Sequence, residues 1–150
     1  MRRRTLALAV AAGFLAGAAL MAAQTSARRY LQTPGRSDNL PYSNAVLAGN
    51  TLYLAGTIGL DPATGKPPGD VEKEVRLALD AWKATLGQAK MTMDDLVTVQ
   101  VFCPDLALYD KFNAIYRTYF SKSFPARAFL GSGPLLRGGH FEIVGIAIKQ

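Results

Sequence analysis

Residues 70–102 read DVEKEVRLALDAWKATLGQAKMTMDDLVTVQVF, and the change of period inside this stretch decides the fold class. From Val71 the apolar residues recur as Val75, Ala78, Trp82, Leu86 and Ala89, at spacings of three and four. That is one buried stripe of an amphipathic helix over residues 70–89, with Trp82 as a core residue on it. Asp70, Glu72 and Glu74 crowd its first turns, where carboxylates complement the helix dipole. Over residues 96–102 the period changes to that of a β-branched strand. Cys103-Pro104 ends it. A helix that hands over to a strand points to helices packed on a sheet.

Working outward, residues 44–48 and 51–55 are short apolar runs separated by Gly49-Asn50, a hairpin signal. Residues 57–60 extend the second run. Residues 61–69 hold several breakers and form a loop. Downstream, residues 106–120 read as a second helix with Tyr109, Phe112, Tyr116 and Phe120 on one face, a core stripe. Asn113 lies one residue off it, at the edge of a possible site. Residues 126–130 and 141–148 read as strands. The last is apolar on both faces and is expected to be central or covered on both sides. The glycines at 131, 133, 138 and 139 belong to turns, since no Lys-Ser/Thr follows them and no helix opens there. The order β-β-α-β-α-β-β gives an α+β domain with both helices on one mixed sheet.

Charge sharpens the domain boundaries. The chain has 150 residues, one cysteine, one histidine and a formal net charge of +6. Six of its 17 basic residues (Arg2, Arg3, Arg4, Arg28, Arg29, Arg36) precede Asp38, the first acid, so residues 38–150 hold 11 basic and 11 acidic residues. A neutral domain has no general attraction for a polyphosphate, and no nucleic-acid partner is expected. Residues 1–27 read as an export signal: an arginine cluster, an uncharged Ala-, Leu- and Gly-rich run, then small residues ending at Ala27. Arg3-Arg4-Thr5-Leu6 resembles a twin-arginine signal, and Sec export stays open beside it. Cleavage places the protein in the periplasm. An uncleaved segment anchors it to the membrane. Residues 28–40 read as a flexible lead-in, and residues 41–150 as the domain.

Cys103 has no basic neighbour in sequence and reads as a buried structural thiol. One cysteine and one histidine exclude a disulfide framework, a cysteine-cluster zinc site and a His-based metal triad. His140 reads as a turn or surface residue. Two charges stand out against this background. Arg127 is the single charge between Lys122 and Arg137, and Glu142 is the single acid after Asp110. Each sits in an apolar strand, where an unpaired charge is costly. An arginine fork binds carboxylates, and a partly buried glutamate can orient or deprotonate a water. If the two strands pair as an antiparallel hairpin, both residues face one site. From spacing alone the favoured reading is a structural ion pair or a strand-end charge that reaches solvent.

The same residues carry a resemblance. Pro41-Tyr42, LYLAGTIGLDPATG, FNAIYRTYF followed by FPAR, and HFEIVGIAI together resemble the RidA (YjgF-like) family of enamine/imine deaminases, over nearly all of residues 41–150. The resemblance implies a chorismate-mutase-like fold, a homotrimer, and active sites in the clefts between subunits. It implies hydrolysis of 2-imino or enamine acids to 2-oxo acids and ammonia, with no metal and no organic cofactor. Arg127 then holds the substrate carboxylate and Glu142 positions the water. Tyr42, Gly56 and Asn113 fall on the family's substrate-binding positions. Ala128-Phe129 stands where many members have Ser-Cys, and Ala55 replaces a serine. Strand alternation puts Phe129 on the face of Arg127, where it reshapes the substrate pocket. These departures leave a second possibility: a non-catalytic exported trimer that binds small carboxylates or a protein partner.

Overall fold

The computed structural model describes residues 27–33 and 40–149. The leader, up to residue 26, lies outside the described residues. Six strands form one sheet: β1 (Arg29–Leu31), β2 (Ala45–Ala48), β3 (Thr51–Ile58), β4 (Leu96–Cys103), β5 (Ala126–Gly131) and β6 (Glu142–Ile148). Among the described residues, two α-helices, α1 (Val71–Gln88) and α2 (Tyr109–Tyr116), pack on this sheet. The sheet order is β1-β2-β3-β6-β4-β5. Among the described residues only the β4–β5 pair is parallel; the other pairs are antiparallel. The α+β reading with a mixed sheet therefore holds, and β6 is central as its two apolar faces required.

The stripe on α1 closes the core. Val75, Ala78, Leu79, Trp82 and Leu86 are buried against Leu52, Leu54, Val99, Val101 and Ile143 of the sheet. Asp70 caps the helix by accepting from the Glu72 and Lys73 amides at 2.9 and 3.4 Å. Trp82 is a core residue, and its Nε1 donates to Thr57 Oγ1 at 3.2 Å. Gly145 explains itself here: a Cβ would lie 2.7 Å from Trp82 Cη2 and 3.1 Å from Thr98 O. The glycine in HFEIVGIAI lets α1 approach the sheet. Cys103 is buried and unpaired, with Sγ donating to Asp105 O at 3.0 Å.

Four local expectations change. The lead-in read as flexible contains β1, which extends the sheet beyond β2. Residues 106–120 are not one helix: α2 spans eight residues between the 3-10 turns Leu106–Leu108 and Arg117–Tyr119. The second strand runs through Gly56 to Ile58, with a bulge between Leu54 and Thr57. The antiparallel hairpin does not form. β5 pairs with β4, while β6 lies between β3 and β4. A parallel edge strand satisfies β5 and leaves the most apolar strand in the middle of the sheet.

Both helices cover one face. The other face carries Val46, Tyr53, Phe102, Leu130, Val144 and Ile146, with Tyr53 49% and Leu130 40% exposed. Thr98, Gln100 and Glu142 share this face, and exposed apolar side chains grouped on one uncovered sheet face suit an interaction surface.

Candidate functional site

Arg127 lies opposite Val99, a fully buried core residue, and so points to the helix side of the sheet. There α2 meets it. Its Nη2 donates to Asn113 Oδ1 at 2.7 Å. Its guanidinium carbon sits 4.7 Å from the ring centre of Tyr116 and 5.9 Å from those of Tyr109, Phe112 and Phe129. The rings hold the cation by their quadrupoles and fix its plane without spending its donors on an acid. Among the described residues Arg127 makes no ion pair. With Asn113, Tyr116, Arg117, Phe124 and Pro125 it lines a cavity of about 170 Å³. A guanidinium held in this way has the chemistry to receive a carboxylate.

Phe129 lies opposite Val101, on the same face as Arg127. Its ring meets Tyr109 edge-on at 4.9 Å and Phe112 at 5.6 Å, so it belongs to the aromatic cage around the guanidinium. Tyr116 is 3% exposed, and its hydroxyl has no hydrogen-bond partner among the described residues. Burial pushes that phenol up to about 12, against the opposing pull of Arg127. The hydroxyl is therefore a neutral donor at ordinary pH.

Glu142 lies opposite Ile58 and Phe102, on the face away from the helices. The Gly56 main chain lies directly against it. A Cβ built at Gly56 would overlap Glu142 Oε1 and sit 3.1 Å from Cδ, so the carboxylate occupies the space a side chain would fill. Tyr42, Asn44, Gly56, Thr57, Arg137 and Glu142 share a second cavity of about 500 Å³. The amide of Ala55 donates to Asn44 O at 2.9 Å, which ties the Tyr42 segment to the bulge.

The six residues singled out in sequence thus fall into two groups. Asn113, Arg127 and Phe129 form one; Tyr42, Gly56 and Glu142 form the other. Within one chain the groups do not meet. Arg127 is opposite Val99 and Glu142 opposite Phe102, so they lie two strands and three residues apart, on opposite faces. Strand spacings of roughly 4.8 Å and rises of roughly 3.3 Å put their Cα atoms on the order of 14 Å apart. Of the two readings favoured by spacing, the ion pair is absent among the described residues, because the sheet itself stands between the two charges.

Sequence reading missed one polar element. Glu74 is fully buried. Its Oε1 accepts from the amides of His140 and Phe141 at 2.7 and 3.2 Å, and its Oε2 lies 2.7 Å from His140 Nδ1. This clamp fixes the chain two residues before Glu142. The signal was its position between Val71 and Val75, inside the apolar stripe rather than opposite it. Among the described residues there is no group of three or more His, Cys, Asp or Glu that could hold a metal ion.

Residues 36–149 match the family model described as Endoribonuclease L-PSP. The chain is 38% identical over 110 residues to a Bos taurus protein named 2-iminobutanoate/2-iminopropanoate deaminase, covering 73% of this chain and 80% of that one. It is equally identical, at 38% over 111 residues, to a RutC family protein of Pyrococcus horikoshii, covering 73% and 88%. Among solved structures the YjgF gene product of E. coli superposes with a TM-score of 0.75 at 31% identity, over 81% of this chain and 99% of that one. RidA from a Psychrobacter species gives a TM-score of 0.74 at 29% identity, over 81% and 99%.

Proposed function

The chain belongs to the Endoribonuclease L-PSP family, which includes YjgF and RidA proteins, and on that premise we propose that it hydrolyses reactive 2-imino acids at a site shared between copies. Water adds across C=N, and the amine leaves as ammonia, giving the 2-oxo acid. Arg127 of one copy holds the carboxylate, with Asn113 fixing one edge of the guanidinium. Glu142 of a neighbouring copy aligns the water, accepts its proton and returns it to the departing nitrogen. Tyr42 and Gly56 complete the Glu142 side. Holding both reactants in line is itself a large part of such a rate enhancement.

One observation carries this reading: each half has half of the chemistry, and the sheet prevents one chain from joining them. The apolar face that bears Tyr53, Val144 and Ile146 offers the surface through which copies associate. A closed homotrimer satisfies this with identical interfaces. The leader supports export to the periplasm by the Sec or twin-arginine route. The alternative of ribonuclease chemistry has weaker support. The single histidine is engaged by Glu74, and residues 38–150 have balanced charge.

The test generates 2-iminopropionate from alanine with an amino-acid oxidase and follows trapping of the imine by semicarbazide. The protein is expected to accelerate imine loss, and Arg127→Ala to abolish the effect. Mixing Arg127→Ala with Glu142→Gln subunits is expected to restore activity, because some clefts then pair an intact arginine with an intact glutamate. No acceleration by the wild type sinks the enzymatic reading and favours a carboxylate-binding module. Mixtures without recovery sink the shared site.

A further inference from the structure

The cavity around Arg127 holds a second cation. Asn113, Tyr116 and Arg117 stand at i, i+3 and i+4, so the turn that presents Asn113 to Arg127 also presents Arg117. Arg117 lies over the ring of Phe124, 5.8 Å from its centre. Phe124 is 51% exposed, and its ring borders the same cavity. Arg117 makes no ion pair among the described residues, and no acid lines this cavity. Tyr116, 97% removed from solvent, lines it too, and its buried hydroxyl has no hydrogen-bond partner among the described residues. Two guanidinium groups around a small cavity repel each other unless an anion lies between them. A buried hydroxyl left without an acceptor costs on the order of 1–3 kcal/mol, which a ligand oxygen recovers.

Resting on the imine-hydrolase reading of the same site, we infer that this half selects 2-imino and 2-oxo acids carrying a second carboxylate. Arg127 with Asn113 takes the carboxylate next to the reacting carbon. Arg117, braced on Phe124 at the rim, takes the distal one. The Tyr116 hydroxyl donates to the bound anion between them. A monocarboxylate engages Arg127 alone and leaves Arg117 in water.

The test is calorimetric titration of the protein with 2-oxoglutarate and with 2-oxobutyrate at one fixed ionic strength. Wild type is expected to bind 2-oxoglutarate about tenfold or more tightly, the ratio one charge-assisted hydrogen bond supplies. Arg117→Gln is expected to erase that preference and leave 2-oxobutyrate affinity unchanged. Lys111→Gln, which removes a positive charge from α2 outside the cavity, is expected to preserve it. A wild type that binds 2-oxobutyrate through Arg127 with no preference for 2-oxoglutarate overturns the inference and leaves the hydrolase reading standing. A preference that survives in Arg117→Gln, or falls equally in Lys111→Gln, overturns it as well. If neither ligand binds, this inference and the substrate-site reading fall together.

Discussion

Around Arg127 the walls are side chains: four aromatic rings and one amide, all held by helix α2 and strand β5. Glu142 shares its cavity with Tyr42, Asn44, Thr57 and Arg137, but main chain supports it most closely: a strand bulge, a glycine without a Cβ, and, two residues upstream, a clamp from Glu74 to the amides of His140 and Phe141. A packed side-chain cage gives a fixed binding geometry. A carboxylate lying over backbone keeps a free face for water and for proton transfer. On the proposed function, the difference gives binding to one half and chemistry to the other, and it can be broken from either side.

The largest effect is expected at Glu142. Glu142→Gln keeps the shape and removes the base, so kcat falls about 100- to 10,000-fold while affinity for 2-oxobutyrate, read by calorimetry, holds. Equal losses in both parameters contradict the division of labour. Next, Arg127→Ala removes the receptor, and 2-oxobutyrate affinity falls about 10- to 100-fold. Gly56→Ala places a methyl where Glu142 Oε1 lies. Its kcat is expected to fall about tenfold through misplacement of the carboxylate, with ligand binding on the Arg127 side intact.

A smaller effect is on stability. The Tyr116 phenol titrates near 10.0 when unfolded and about 12 in the fold. Below pH 10 both states are protonated and the group has no pH effect. Between about 10 and 12 the unfolded chain loses its proton first, so stability falls by about 2–3 kcal/mol across that window. Urea melts at pH 9 and 11.5 should show a shallower loss in Tyr116→Phe. The smallest effect is at Cys103, where burial raises the thiol. Iodoacetamide should label it only after unfolding, leaving activity of the native protein unchanged.

Periodicity made the core of this fold legible. The stripe from Val71 to Leu86 and the apolar β6 carried their own burial patterns, and the structure keeps both. Pairing was not legible, because an edge strand such as β5 satisfies its ladder with either neighbour and no residue in 131–139 dictates which. The candidate residues were legible by type, as charges that an apolar strand does not tolerate without purpose. Their arrangement was not, since the faces of Arg127 and Glu142 depend on registers set by β4 and by the bulge in β3. Glu74 escaped because a helix-start carboxylate is ordinarily a surface dipole partner, and only the approach of Gly139 and His140 turns it inward. Arg117 reads from sequence as an ordinary surface cation until Phe124 is placed beneath it.

The short strand β1 lies before the family-matched segment, yet it reaches the Glu142 side. The Thr33 amide donates to Asn44 Oδ1 at 3.0 Å, the Asn44 amide donates to Gln32 Oε1 at 3.3 Å, and Gln88 Nε2 holds Gln32 O at 3.3 Å. These bonds brace the segment that carries Tyr42, and β1 also occupies the hydrogen-bonding edge of β2. Truncation at residue 34 would therefore do two kinds of damage at once. It would slacken one wall of a cavity, and it would bare a strand edge that another chain can extend into an aggregate.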